Sequence, residues 1–258
     1  MYTVFVGDSF CNAYNYNDWV HYQKPFTVGS QRTPWPDLVK TARKTKIAPY
    51  GFGGKSWWFS WSSFWYNFHE RMNEVDSIIF CHTESGRINS NIESNQDLPN
   101  NFWVQNCSSE IKNLYKSHLQ YFHDQNFNDW AQQRFFEFLR QHFSHIKTVH
   151  LHCFRQSVAW SKLLPGVVFN TPLQVIALGG VPGTMEQAVS RITASKNSLD
   201  NHLTDANNKT LANVIVRALD NYSPGIYSLD LDEFEIPNHS VVNEYLSETF
   251  HYGKYRDE

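Results

Sequence analysis

The sequence predicts an α/β fold built on a parallel, doubly wound sheet. Short apolar, β-favouring runs alternate with longer stretches in which apolar residues recur at three- and four-residue steps. This alternation is typical of parallel strands joined by crossover helices. The chain has 258 residues, of which 41% are hydrophobic and 16% aromatic, so a sizeable core is available.

The first predicted strand covers residues 2–6 and ends at Gly7-Asp8-Ser9. A serine in this turn lies at the carboxyl edge of the sheet, where α/β proteins bind ligands. The backbone N–H groups of a following helix start are suited to hold an oxyanion. Because a serine hydroxyl is a weak nucleophile at neutral pH, the chain must also supply a base.

The remaining elements follow from local patterns. Four further strands are predicted, which gives a sheet of five: 47–50, 77–81, 146–151 and 173–178. Helices are predicted at a Trp-Pro-Asp start at 35, along an amphipathic stretch at 61–75, in two stretches around 111–119 and 130–139, and at 205–219 behind an N-cap at Thr204. Residues 1–220 are thus predicted to form one domain, and 221–258 a C-terminal extension of unassigned structure.

Three of the predicted strand ends carry residues suited to chemistry. Ser9 follows the first strand, the glycine cluster at 51–54 follows the second, and the turn at 82–87 follows the third. An aspartate and a histidine, Asp200 and His202, precede the predicted helix at 205. Because parallel strands bring their carboxyl ends to one edge, we expect these groups to meet in one crevice.

These blocks resemble those of the SGNH/GDSL hydrolase family, in short stretches spread over residues 2–220. The resemblance implies a flavodoxin-like three-layer α/β/α sandwich and hydrolysis of an ester, with an O-acetyl or other short acyl group on a carbohydrate as the expected substrate. It also implies that Ser9 is the nucleophile, His202 the base and Asp200 the residue that holds its tautomer. The N–H groups of Ser9 and Gly54 would bind the oxyanion.

The chain departs from the family pattern at two positions. Leu199 occupies the usual place of the aspartate, so Asp200 either orients His202 differently or leaves it working nearly as a dyad. Glu84 aligns with an asparagine that donates to the oxyanion, and an ionised carboxylate cannot donate a hydrogen bond. Activity is then either slower, or another donor such as His82 or Asn89 takes over.

Composition and motifs weigh against several other functions. A net charge of −3 without a long basic run does not suggest nucleic-acid binding. No membrane span or signal peptide is predicted, which favours a cytosolic protein or one released without Sec export. The scattered cysteines at 11, 81, 107 and 153 read as reduced and buried. No cofactor is predicted, since dinucleotide and P-loop motifs are absent and the histidines at 142, 145, 150 and 152 lack further zinc ligands.

Two questions stay open at this point. The aromatic group Tyr50, Phe52, Trp57, Trp58 and Phe59 is either core packing or a wall of the crevice suited to a sugar or aryl ring. The alternatives to an esterase are a carbohydrate-binding or structural protein that has lost efficient catalysis, and an acyltransferase. The pattern does not predict the oligomeric state.

Overall fold

A computed structural model describes residues 1–11, 33–51, 56–86, 109–121, 124–177, 203–236 and 239–247. Within these ranges the chain forms a six-stranded, fully parallel sheet in the order β2-β1-β3-β4-β5-β6. Its strands are β1 Tyr2–Gly7, β2 Lys46–Gly51, β3 Val75–His82, β4 Lys147–His152, β5 Val167–Pro172 and β6 Gly225–Tyr227. The predicted α/β class and parallel sheet are confirmed, but the predicted count of five strands is wrong.

Six α-helices accompany the sheet within the described ranges. They are α1 Trp35–Arg43, α2 Trp57–Phe68, α3 Ser109–Tyr121, α4 Gln125–Phe143, α5 Asp205–Asp220 and α6 His239–Ser247. The predicted N-cap of α5 is confirmed, since Thr204 Oγ1 accepts the N–H of Asn207 at 3.1 Å. The helix predicted at 61–75 is shorter than expected: α2 ends at Phe68, and a 3₁₀ helix at His69–Glu74 leads into β3.

The predicted fifth strand at 173–178 is wrong. Leu173–Ile176 is a 3₁₀ helix, and the strand lies just before it, at Val167–Pro172. Leu173, Val175 and Ile176 are all buried, so the run shows no alternation that would separate a strand from a buried helical turn. The N–H of Gln174 donates to the carbonyl of Cys153 at 3.1 Å and fixes the turn beyond the end of β4.

Two hydrophobic clusters cover the two faces of the sheet. On one face α1 and α5 pack through Trp35, Val39, Leu211 and Ile215 against Phe5. On the other face, α2 and α4 pack through residues that are mainly aromatic: Trp61, Phe64, Phe68, Phe135, Phe136 and Phe143. Residues after 220 share the first cluster, to which Leu229, Phe234 and Val242 contribute buried side chains.

Two glycines allow the turn after β1 to lie close to its neighbours. A Cβ at Gly7 would stand 2.5 Å from the carbonyl oxygen of Cys81 on β3 and 2.9 Å from Cys11 Sγ. A Cβ at Gly51 would meet the backbone of Cys11, whose carbonyl carbon is 2.7 Å away. Side chains at either position would therefore displace the turn that holds Ser9.

Candidate active site

The turn after β1 is fixed by hydrogen bonds on both sides of Ser9. The N–H of Cys11 donates to the Asp8 carbonyl at 3.2 Å, and the N–H of Phe10 donates to Asp8 Oδ1 at 3.0 Å. The side chain of Asp8 is fully buried and also accepts a hydrogen bond from Cys153 Sγ at 3.2 Å. Ser9 is the first residue of the 3₁₀ helix Ser9–Cys11, and its side chain lies outside what the structure describes. Its main chain is therefore held at the carboxyl end of β1.

The other predicted catalytic residues lie outside the described ranges. These are Gly54, Asp200 and His202, together with the alternative oxyanion donor Asn89. The residue after His202 is described: Leu203 is buried and forms an isolated antiparallel bridge with Ala177. Ala177 follows the 3₁₀ turn that is hydrogen-bonded to the end of β4. The chain at 203 is thereby attached to the carboxyl edge of the sheet.

A chain of hydrogen bonds joins Phe10 to Leu203. The indole Nε1–H of Trp35 donates to the carbonyl of Phe10 at 2.6 Å, and the backbone N–H of Trp35 donates to Asn208 Oδ1 at 3.0 Å. Asn208 Nδ2 then donates to the carbonyls of Leu203 and Thr204 at 3.2 and 3.0 Å. Trp35 and Asn208 thus connect the residue after Ser9 with the residue after His202.

The segment after β3 is held by α4. The carbonyl of Thr83 accepts a hydrogen bond from Gln132 Nε2 at 2.9 Å. The Ser85 hydroxyl donates to Asp129 and accepts from Gln125 Nε2. Between them Glu84 is half-buried. Glu84 thus follows β3 by two residues, and β3 pairs with β1 up to Gly7 and Cys81.

Three histidines form a buried cluster at the ends of β3 and β4. His82 Nε2 lies 2.9 Å from His150 Nδ1, while His152 is hydrogen-bonded to the hydroxyls of Ser157 and Ser161. Burial lowers the pKa of His82 and His150 well below the ordinary 6.5, and it lowers the pKa of His152 to about 3. The cluster is consequently neutral at pH 7. One of the two ring nitrogens of His82, Nε2, is thus already hydrogen-bonded to His150.

Three thiols, at the carboxyl ends of β1, β3 and β4, belong to the hydrophobic cluster on the face of the sheet that α1 and α5 cover. Cys11, Cys81 and Cys153 are buried and free, as predicted, while Cys107 lies outside the described residues. Burial raises the pKa of Cys81 and Cys153. Within the described ranges, no group of three or more His, Cys, Asp or Glu side chains is arranged to hold a metal ion.

The predicted aromatic group divides between core and surface. Tyr50 is buried against Phe64, and Trp57 stacks on Phe135 with ring centroids 4.9 Å apart. Trp58, in the first turn of α2, is 51% exposed. Phe52 lies outside the described residues. Core packing is therefore confirmed for Tyr50, and Trp57 packs against α4, whereas Trp58 lies at the surface with its ring edge-on to Trp57.

Comparison with known proteins finds no match. No family model, no curated protein and no solved structure is significantly similar to this chain. Among the described helices, none combines the length and apolar character needed to cross a bilayer.

Local patterns miss the partners that hold the site together. Trp35 reads from the sequence only as a helix start, and Asn208 only as a polar residue in a helix. Their hydrogen bond joins positions 173 residues apart, so no periodicity signals it. The hint in the sequence is the helical spacing of Asn208 with Leu211 and Ile215, because an amide on a buried face is normally hydrogen-bonded.

Proposed function

We propose that the protein is a serine hydrolase of the SGNH type that cleaves an ester, with a short acyl group on a carbohydrate as substrate. The observation that carries the proposal is the hydrogen-bonded link from Phe10 through Trp35 and Asn208 to Leu203. Phe10 follows the proposed nucleophile Ser9, and Leu203 follows the proposed base His202. The proposed nucleophile and the proposed base are thus each followed in the chain by a residue that this hydrogen-bonded link holds.

The sheet topology supports the same reading. The order of β2-β1-β3-β4-β5 is that of flavodoxin-like sheets, to which β6 adds an edge strand. In such sheets ligands bind beyond the carboxyl ends of the strands, where the order reverses between β1 and β3. Ser9 follows β1 and Glu84 follows β3, which supports a substrate site at this part of the sheet edge.

In the proposed reaction, His202 accepts the proton of Ser9 as its oxygen attacks the acyl carbon, and Asp200 holds the imidazole in the required tautomer. The N–H groups of Ser9 and Gly54 stabilise the oxyanion. Collapse of the tetrahedral intermediate releases the alcohol, which takes the proton from His202. Water then attacks the acyl carbon of the acyl-enzyme while His202 accepts its proton. Cleavage of the bond to Ser9 releases the carboxylic acid, and the proton returns from His202 to the Ser9 oxygen.

Turnover of 4-nitrophenyl acetate tests the proposal. Replacing Ser9 with Ala should lower kcat by at least about 10³-fold, because a nucleophile and its base act as a unit. Ser63→Ala, which changes a half-buried serine of α2, is the matched control and should keep wild-type activity. Equal turnover in Ser9→Ala and Ser63→Ala would contradict the proposal.

A second candidate is a carbohydrate-binding protein with little or no catalysis, and Glu84 is the observation that favours it. Glu84 is half-buried just after β3. If it occupies the position of the family's amide donor, its side chain supplies no hydrogen to an oxyanion and would repel it. Binding to a glycan array, without turnover of any member of a panel of acyl esters, would support this candidate. Product analysis with an added alcohol acceptor separates hydrolysis from acyl transfer.

A further inference from the structure

The side chains of Trp35 and Asn208 complete a hydrogen-bonded link between Phe10 and Leu203. We propose that both are positioning residues for the ester hydrolysis, an inference that rests on the function proposed above. Their role is to fix the turn of Ser9 relative to the chain that leads into α5. Neither side chain is proposed to touch the substrate.

Trp35 holds the turn after β1. Its side chain is 1% exposed, and its ring packs edge-on against Phe5 of β1 with centroids 5.4 Å apart. From this fixed position, the indole N–H makes the 2.6 Å hydrogen bond to the carbonyl of Phe10. The N–H of Phe10 is held independently by Asp8 Oδ1. Both polar groups of Phe10 are therefore bonded, and the backbone beside Ser9 has little freedom to rotate.

Asn208 holds the other side of the link. The N–H of Trp35 belongs to the first turn of α1, whose N–H groups have no partner within the helix. The N-cap residue Pro34 provides no side-chain hydrogen bond, and Asn208 Oδ1 accepts this N–H instead. The amide nitrogen of Asn208 then donates to the carbonyls of Leu203 and Thr204. One buried amide thus binds the start of α1 and the start of α5 together.

The proposed reaction depends on the distance between the nucleophile and its base. Attack by a hydroxyl requires its base within hydrogen-bond reach, and a misplacement of about 1 Å by a distant substitution can cost about 10²-fold in rate. Ser9 and His202 lie far apart in the sequence, near the start of the chain and just before α5. Their separation therefore depends on contacts between segments, and Trp35 and Asn208 supply these contacts from buried, geometrically fixed side chains.

Two conservative substitutions isolate the link. Trp35→Phe keeps an aromatic ring against Phe5 but removes the N–H donor to Phe10. Asn208→Asp keeps an oxygen to accept the N–H of Trp35 but removes the donors to Leu203 and Thr204. The matched control is Tyr222→Phe, which also removes one aromatic hydrogen-bonding group. Tyr222 accepts the N–H of Thr148 at 3.2 Å near the opposite, amino edge of the sheet.

The readouts are kcat and KM for 4-nitrophenyl acetate, the thermal midpoint, and hydrogen exchange at Phe10 and Cys11. We expect kcat to fall by about 10²-fold in Trp35→Phe and Asn208→Asp with KM little changed. Exchange at Phe10 and Cys11 should become faster in Asn208→Asp but not in Tyr222→Phe. The control should lose thermal stability while keeping wild-type kcat.

A merely structural role predicts a different pattern. If Trp35→Phe and Asn208→Asp lose thermal stability but keep the kcat of Tyr222→Phe, the positioning role is wrong. The proposed function is then still supported as long as turnover depends on Ser9. If the unsubstituted protein shows no Ser9-dependent turnover, the proposed function is wrong and this inference falls with it. Should Trp35→Phe fail to fold, the near-isosteric Asn208→Asp decides by the same two readouts.

Discussion

His82 on β3 and His150 on β4 face each other with Nε2 and Nδ1 2.9 Å apart. Both rings are buried and nearly parallel, with 5° between their planes. His150 Nε2 has no hydrogen-bond partner among the described residues. A proton added to this pair would therefore place a charge in a buried site that has no described acceptor for it.

This cluster predicts that the fold is destabilised by acid. Burial lowers the pKa of His82, His150 and His152 below 6.5, so between the folded and unfolded pKa values the unfolded chain binds more protons. The free energy of unfolding is then highest above about pH 6.5. It falls with decreasing pH by up to about 1.4 kcal/mol per pH unit for each histidine.

Urea unfolding at a series of pH values between 7 and 4 measures this slope. The double variant His82→Phe/His150→Phe removes two of the three groups and should flatten the slope accordingly. A free energy of unfolding that stays constant, or rises, as the pH falls through this range would contradict the assignment of a neutral buried cluster.

Two tryptophans of α2 should differ sharply in their effect on stability. Trp61 is 7% exposed and packs against Phe64, Phe80, Phe135, Phe138 and Phe143, whereas Trp58 is 51% exposed. Trp61→Ala should lower the free energy of unfolding by about 3–5 kcal/mol. Trp58→Ala should change it by no more than about 0.5 kcal/mol. Urea unfolding of the pair gives the comparison, and similar losses would show that the packing of α2 is misassigned.

The buried thiols should be inert in the folded protein. Burial raises the pKa of Cys81 and Cys153, and the thiolate is the reactive form. Iodoacetamide at pH 8 should therefore leave both unmodified in the native state and alkylate both in guanidinium chloride, as mass spectrometry of peptides would show. Native-state alkylation as fast as that of a free cysteine would mean that these strand ends are open to solvent.

Glu84 should limit the rate of the proposed esterase. Replacing it with Asn restores an amide donor at the end of β3, and one oxyanion donor is worth about 10²–10³ in kcat where its removal has been measured. We expect Glu84→Asn to raise kcat for 4-nitrophenyl acetate by at least about tenfold, a part of that range. Glu84→Ala is the control, since it removes the carboxylate without adding a donor. A lower kcat in Glu84→Asn than in wild type would show that the carboxylate assists the reaction.

Local pattern was sufficient for the elements with strong signals. The first three strands contain short apolar runs bounded by turn residues, and in β4 Val149 and Leu151 alternate with His150 and His152. Helix α5 begins behind the predicted cap, Thr204. The helical turn at 173–176 was missed because every apolar side chain in it is buried, which hides its period. β6 was missed because it has three residues, and Ile226 and Tyr227 in it are largely exposed.

In the candidate site, too, the local features are predictable from the sequence and the long-range contacts are not. Gly7-Asp8-Ser9 at a strand end is visible in the sequence because turn chemistry is local. The contacts of Asp8 with Cys153 and of Trp35 with Asn208 join distant segments, and they exist only once the sheet brings the ends of its strands together. The composition of the chain and the spacing of its residues do not predict such contacts.

Covalent labelling with a fluorophosphonate tests the central claim most directly, since this reagent marks only an activated serine. Mass spectrometry of the labelled protein should find one adduct, on Ser9, formed at a rate that falls steeply in His202→Ala. No adduct on Ser9, or one whose rate of formation is the same in His202→Ala, would contradict the pairing of this hydroxyl with this imidazole.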